Sequence, residues 1–229
     1  MSEAAAPRPA TAPDVRVWDG LLRLAHWSFP LLIAMMWWTA ENDKWALHRR
    51  IGLVLLGILA FRVVWGFIGP ETARFSQFVK GPGAVLAYLR GDRSAGPAIG
   101  HSPLGGWSTL ALIGAMLLQV GLGLFAGDPF DGMTGPLNPL VGVTLADTIT
   151  DLHEAFFNVL LGLIVLHLAA ITWYAVQGND LLSPMVGGNR PPMPGVTGIG
   201  PLPWRRAVLA VAVAAALALW VAFGAPPLT

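Results

Sequence analysis

Four histidines lie within long apolar runs of this 229-residue chain, at positions 26, 48, 153 and 167. The run at residues 151–169, DLHEAFFNVLLGLIVLHLA, carries two of them, His153 and His167, fourteen residues apart. At 100° per residue, fourteen steps make four turns less about 40°, so both imidazoles leave nearly the same helix face, roughly 21 Å apart along its axis. Neutral imidazole is the commonest metal ligand among side chains. A bilayer's hydrocarbon core is about 30 Å thick, so one spanning helix would offer a ligand near each membrane surface.

Composition requires such a setting. The chain is 55% hydrophobic and 12% charged with mean hydropathy +0.61, against roughly 25% charged in soluble domains. Five apolar runs are long enough to span, at about residues 21–39, 47–68, 105–126, 152–176 and 207–223. Residues 1–14 are polar and proline-rich without an apolar core, and read as a flexible tail in place of a cleaved signal. Net charge is +1, which gives no basis for nucleic-acid binding. The absence of cysteine excludes disulfides, thiolate metal sites, cysteine-ligated clusters and covalent c-type haem attachment.

The basic residues set an orientation. Arg8, Arg16, Arg23, Arg62, Arg74, Lys80, Arg90, Arg93, Arg190, Arg205 and Arg206 flank one side of the expected spans, and only Lys44, Arg49 and Arg50 flank the other. The positive-inside rule then puts the amino terminus in the cytoplasm and the carboxyl terminus outside. The connection at residues 127–151 contains Asp128, Asp131, Asp147 and Asp151 and no Lys or Arg, as an exported loop permits.

Depth pairs the histidines. Counted from the outer connection near residues 41–46, His26 lies roughly 22 Å deep and His48 close to the surface, while His153 begins the fourth span on the outer side and His167 lies inward. His26 therefore matches His167, and His48 matches His153. Two facing histidines at each level satisfy six-coordinate haem iron. A histidine that only bridges helices by a hydrogen bond is the plainer alternative, worth about 0.6 kcal/mol on average. A metal-ion transporter, the other competitor, would favour carboxylates beside the histidines; no Asp or Glu lies mid-span, and Glu154 is expected at a helix start.

The strings AHW, LHRRIG and LHEAFFNVLLGLIVLHLA, in this order, resemble the prokaryotic cytochrome b561 family, which shares its design with the cytochrome b subunits of membrane hydrogenases. The resemblance covers about residues 15–185, and VWDGLLRLAHW, FRVVWGF, ARFSQFVKGP and HSPLGGW resemble its hydrogenase-type branch. It implies an all-α membrane protein: a four-helix transmembrane bundle at residues 15–177 binding two non-covalent b haems through His26, His48, His153 and His167. A Gly/Pro-rich linker at 178–204 and a fifth C-terminal transmembrane helix within 205–229 depart from the simplest members.

Other residues have a physical use beside these ligands. Arg62, fourteen residues beyond His48, reaches the depth of the inner pair, where it would neutralise a haem propionate or snorkel to the surface. Arg49 and Arg50 stand in the same relation to the outer pair, with interfacial charge as the plain reading. Gly52, Gly57, Gly121, Gly123 and Gly162 remove bulk either for a porphyrin or for close helix packing. Nine of the ten tryptophans, Trp27 excepted, fall near span ends as an aromatic belt. The segment ARFSQFVKGPGAVLAYLRG suits the cytoplasmic membrane surface and ends near His101, which would serve a quinone site or be an ordinary loop histidine.

The resemblance implies electron transfer across the inner membrane between the quinone pool and a periplasmic partner, either a c-type cytochrome or a hydrogenase-like subunit. Superoxide oxidation coupled to quinone is the second redox reading, and a haem-free anchor or transporter is the third class. Membrane lipid is an expected partner, and homo-oligomerisation is left open.

Overall fold

A computed structural model describes residues 14–92, 99–128, 133–192 and 197–228. Arg8, Arg93, Asp131 and almost all of the expected tail lie outside the described residues. The long helices are α1 (Gly20–Glu41), α2 (Trp45–Ile68), α5 (Pro103–Phe125), α6 (Val143–Val176) and α8 (Trp204–Ala222). Short helices α3 (Phe75–Phe78), α4 (Pro82–Leu89) and α7 (Leu182–Gly187) fill the connections, and strands β1 (Val15–Arg16) and β2 (Asn189–Arg190) pair antiparallel. The fold is thus mostly helical. Four helices, α2, α5, α6 and α8, are long and apolar enough to cross a membrane. α1 has the length, at 22 residues, but Arg23, His26, Ser28 and Glu41 make it less apolar.

Local chemistry sets the helix ends. Asp19 caps α1, its Oδ1 accepting from the Leu22 N–H at 2.9 Å. α5 starts at Pro103 behind Ser102, whose hydroxyl accepts from the Gly105 N–H at 3.1 Å. Between α1 and α2 the chain reverses through Asp43, at φ +55°. At the far end of α5, buried Asn138 donates to the Phe125 and Gly127 carbonyls at 3.0 and 2.9 Å, satisfying acceptors that the helix terminus leaves free.

α2 is the hub, packed against α1, α5 and α8, while α6 packs along α5. α8 presents buried Ala207, Ala210 and Ala214 to the shared core, and Ala218 meets Gly57 of α2, where an added Cβ would stand at 3.5 Å. Small residues let the two backbones approach, the usual device where lipid removes the hydrophobic drive between helices.

Several sequence expectations change. α6 begins at Val143, nine residues before the expected span, so His153 and Glu154 sit well inside a helix. At 34 residues it is about 51 Å long, more than the roughly 30 Å hydrocarbon core. Its early turns are helical because buried Ala146 and the Thr150 hydroxyl, accepting from the Gly127 N–H at 2.8 Å, dock them on the α5 end. Asp147 and Asp151 consequently stand on α6 and not on a loop.

Two tryptophans also leave the belt. Trp65 is fully buried and its Nε1 donates to Asp19 Oδ2 at 3.1 Å, while Trp18 is buried in the same cluster. The segment of α3 and α4 is only partly superficial: Phe78 is buried, and the Phe75 ring covers Gly66 so closely that a Cβ there would stand 2.1 Å away. The stretch after α6 forms α7 and β2, with Trp27 Nε1 donating to the Met185 carbonyl at 3.2 Å.

Candidate functional site

The four span histidines come together as two pairs. His26 of α1 faces His167 of α6 with ring centres 6.4 Å apart, and His48 of α2 faces His153 of α6 at 6.3 Å. Among the described residues no hydrogen bond joins the rings of either pair. Two imidazoles on opposite sides of one metal ion, each with a nitrogen–metal bond of about 2 Å and about 1.1 Å from that nitrogen to the ring centre, stand about 6.3 Å apart. The rings thus have a separation at which each pair would hold one metal ion between its two imidazoles. α6 approaches α1 and α2 less closely than it approaches α5, so side chains bridge the interval on both levels.

Each ring's second nitrogen tells more about its role. His48 Nδ1 lies 3.1 Å from both the Met36 carbonyl and the Thr39 hydroxyl oxygen. The Thr39 hydroxyl donates its own proton to Met36 O at 2.8 Å and therefore accepts from His48. A proton held at Nδ1 leaves the Nε2 lone pair free for a metal, the usual arrangement of ligating histidines. His153 Nδ1 is 3.0 Å from the Gln119 carbonyl, and the Gln119 side-chain amide donates to the His153 carbonyl at 2.9 Å. Gly123 stands against the His153 ring, where a Cβ would lie 2.8 Å from Cε1. Among the described residues the inner pair has no such anchor: His26 Nδ1 is buried without a partner, and the Trp27 ring meets His26 edge-on at 5.2 Å.

Arg62 does not snorkel. It is 5% exposed, its guanidinium sits 5.2 Å from the Phe75 ring centre, and its Nη1 is buried without a partner. Its charge acts on His26 and on His101. With Nη1 unpartnered and the buried Asp19 carboxylate as the nearby counter-charge, this guanidinium would suit the anionic edge of a haem held by the inner pair. Arg49 and Arg50 are exposed in the first turns of α2, in keeping with interfacial charge.

His101 lies closer to the core than a loop residue would. Its ring stands 4.3 Å from that of Phe78 and 4.9 Å from that of Trp18, and its Nδ1 is buried without a partner. Burial, then the Arg62 charge and then the inner histidines, push its pKa down from 6.5 to about 3. The ring is therefore neutral near pH 7, suited to accepting or donating a hydrogen bond and poorly suited to storing a proton.

Thr39 and Gln119, which hold the outer imidazoles, are the site-supporting residues that sequence reasoning missed. Gln119 had a signal, as the one amide within the apolar run GAMLLQVGLG. The glycines divide: Gly57 serves the contact with α8, Gly52 meets Met36, Gly123 adjoins a candidate ligand, and Gly121 and Gly162 face open space. His153, Leu160, His167 and Tyr174 follow one another at seven-residue steps on one face of α6. Leu160, 2% exposed, fills the level between the two pairs.

A family model described as prokaryotic cytochrome b561 matches residues 17–188, well over half of the chain and a range within which all four histidines fall. No curated protein and no solved structure matches.

Proposed function

The chain belongs to the prokaryotic cytochrome b561 family of membrane b-type electron-transfer cytochromes, and from that premise we propose that it carries two haems and moves electrons across the inner membrane between the quinone pool and a periplasmic redox partner. The observation that carries this reading is the pair of imidazole separations, 6.4 and 6.3 Å, each at a metal-spanning distance. His26 and His167 hold the inner haem, and His48 and His153 the outer one. α1 spans together with α2, α5 and α6 to form the haem bundle at residues 15–177, and α8 is an additional span outside it.

Haem, when bound, supplies reversible one-electron chemistry. The chain does the rest. Thr39, Met36 and Gln119 orient the outer imidazoles through their Nδ1 atoms. Buried Arg62 would place positive charge at the inner level, which favours the reduced state of a haem held there. Leu160 and its neighbours exclude water between the levels, which lie about 21 Å apart on α6. An electron crossing the whole membrane exchanges about 2.3 kcal/mol per 100 mV, so transfer between the levels does part of that electrical work.

His101, shielded by Trp18 and Phe78 beside Arg62, gives the inner level a neutral hydrogen-bonding group for a quinone carbonyl. On the outer side Asp147, Asp151 and Glu154 recur at helical spacing over the second to fourth turns of α6, all exposed, which suits a basic c-type cytochrome. With the amino terminus cytoplasmic, these turns rise on the periplasmic side.

The test is a reductive titration of the purified, haem-replete chain, followed by mixing with a c-type cytochrome and, separately, with superoxide and quinone. Two low-spin haem components and rapid exchange with the cytochrome are expected. A protein without haem bands refutes the haem reading, and rapid reaction with superoxide but none with cytochromes refutes the choice of partner.

A further inference from the structure

Where α8 enters the bundle, a pocket of about 240 Å³ opens between two parts of the chain. One wall is the turn after α2, including Gly69, Glu71 and Arg74, and the other is the strap from Gly198 to Pro203 with Arg206 in the first turn of α8. The Arg74 Nε is buried and has no partner. Arg206 is exposed, and among the described residues its one hydrogen bond is to the Ile68 carbonyl at the end of α2, at 3.4 Å. Glu71 lines the same pocket, yet among the described residues none of these three groups is in an ion pair. Two guanidinium groups and one carboxylate leave the pocket net positive.

We propose that this pocket binds a phosphate-bearing anion, the headgroup of an anionic phospholipid or free phosphate. A guanidinium fork matches the oxygens of a phosphate, and an N–H buried without an acceptor is costly until an acceptor arrives. Membrane position favours the lipid source: exposed Trp204 marks the headgroup level directly beside Arg205 and Arg206, and basic pockets between spans are where anionic headgroups bind. The anion joins two units, because Arg74 belongs to the family-matched stretch at 17–188 and Arg206 to the helix beyond it. It would tie α8 to α2 at the end opposite the close contact of Ala218 with Gly57. The site is independent of the haem reading, since none of its residues borders the histidine pairs.

The experiment uses the full haem-loaded chain in nanodiscs of phosphatidylcholine alone or with one-third phosphatidylglycerol, and in phosphatidylcholine discs with 10 mM inorganic phosphate. Thermal midpoint and lipid retained in native mass spectrometry are read. Phosphatidylglycerol should raise the midpoint by about 3–6 °C and stay bound. Arg74→Gln and Arg206→Gln, singly and together, should cut retention, at least fivefold in the double variant, and Glu71→Gln should increase it. An equal shift from inorganic phosphate alone assigns the site to free phosphate, and a shift from the lipid only assigns it to the headgroup. The proposal is overturned if neither anion stabilises the protein, or if the shift and the retained lipid survive in all three arginine variants.

Discussion

Gly123→Ala should loosen the outer haem and spare the inner one. The new Cβ would stand 2.8 Å from Cε1 and 3.2 Å from Nδ1 of His153, against about 3.5–4.0 Å for relaxed carbon contacts. The ring cannot retreat freely, because its Nδ1 is held 3.0 Å from the Gln119 carbonyl on α5, the same helix that carries residue 123. Relief requires a tilt that stretches this bond and displaces the opposite nitrogen from the axis toward His48. Overpacking of this kind costs about 1–3 kcal/mol, or roughly 5- to 150-fold in affinity, in line with the 10–100-fold typical of disturbed ligand supports. Helix propensity acts in the opposite direction, since Ala stabilises a helix interior by about 1 kcal/mol over Gly, so general unfolding is not the expected cause of any loss. Gly121→Ala is the control, having nothing within 4 Å of its Cβ position. The assay is haem titration of apoprotein followed by low-temperature spectra and electron paramagnetic resonance. One of two low-spin signals should weaken or shift in Gly123→Ala and neither in Gly121→Ala. Two unaltered signals, or equal loss of both, would refute the reasoning.

Thr39→Val removes the hydroxyl acceptor from His48 while leaving the Met36 carbonyl, and should perturb the outer haem signal with a smaller loss of affinity than Gly123→Ala; heteronuclear or resonance Raman spectra of the ligating imidazole check it. Arg62→Met removes the buried charge at the inner level and should lower the inner midpoint potential by about 50–100 mV, with little change at the outer haem in a redox titration. For His101 the folded pKa of about 3 lies below the ordinary 6.5, so between these values the unfolded chain binds a proton that the folded one does not. Stability from keeping the ring neutral is complete above pH 6.5 and is lost as pH falls toward 3. His101→Gln should therefore flatten the fall in thermal midpoint between pH 7.5 and pH 5.0, and an unchanged slope would contradict the burial of that ring.

The pairing of the histidines was legible because two periodicities act together. The helical repeat places His153 and His167 on one face, and the bilayer thickness limits which residues of α1 and α2 share their levels. The start of α6 was not legible: VTLADTIT is polar and rich in β-branched residues, and it becomes helical through long-range docking of Ala146 and Thr150. Trp65 was misread for a similar reason, since proximity to a span end suggests an interfacial ring while its true partner, the Asp19 carboxylate, lies 46 positions earlier in the chain. Whether Arg62 stays at the inner level or snorkels depended on whether Phe75 would fold back over Gly66, a contact made by the short helix α3. Thr39 and Gln119 escaped notice because their role is to present hydrogen-bond groups to a neighbouring helix, and no periodicity records that.

Haem content of single ligand variants tests the two-level arrangement most directly. Purified wild-type chain should contain about two haems by pyridine haemochromogen assay, His167→Ala about one with the outer signal retained, and His153→Ala about one with the inner signal retained. A wild-type stoichiometry of one or none, or the loss of the same signal in both variants, would contradict paired ligation at separate membrane depths.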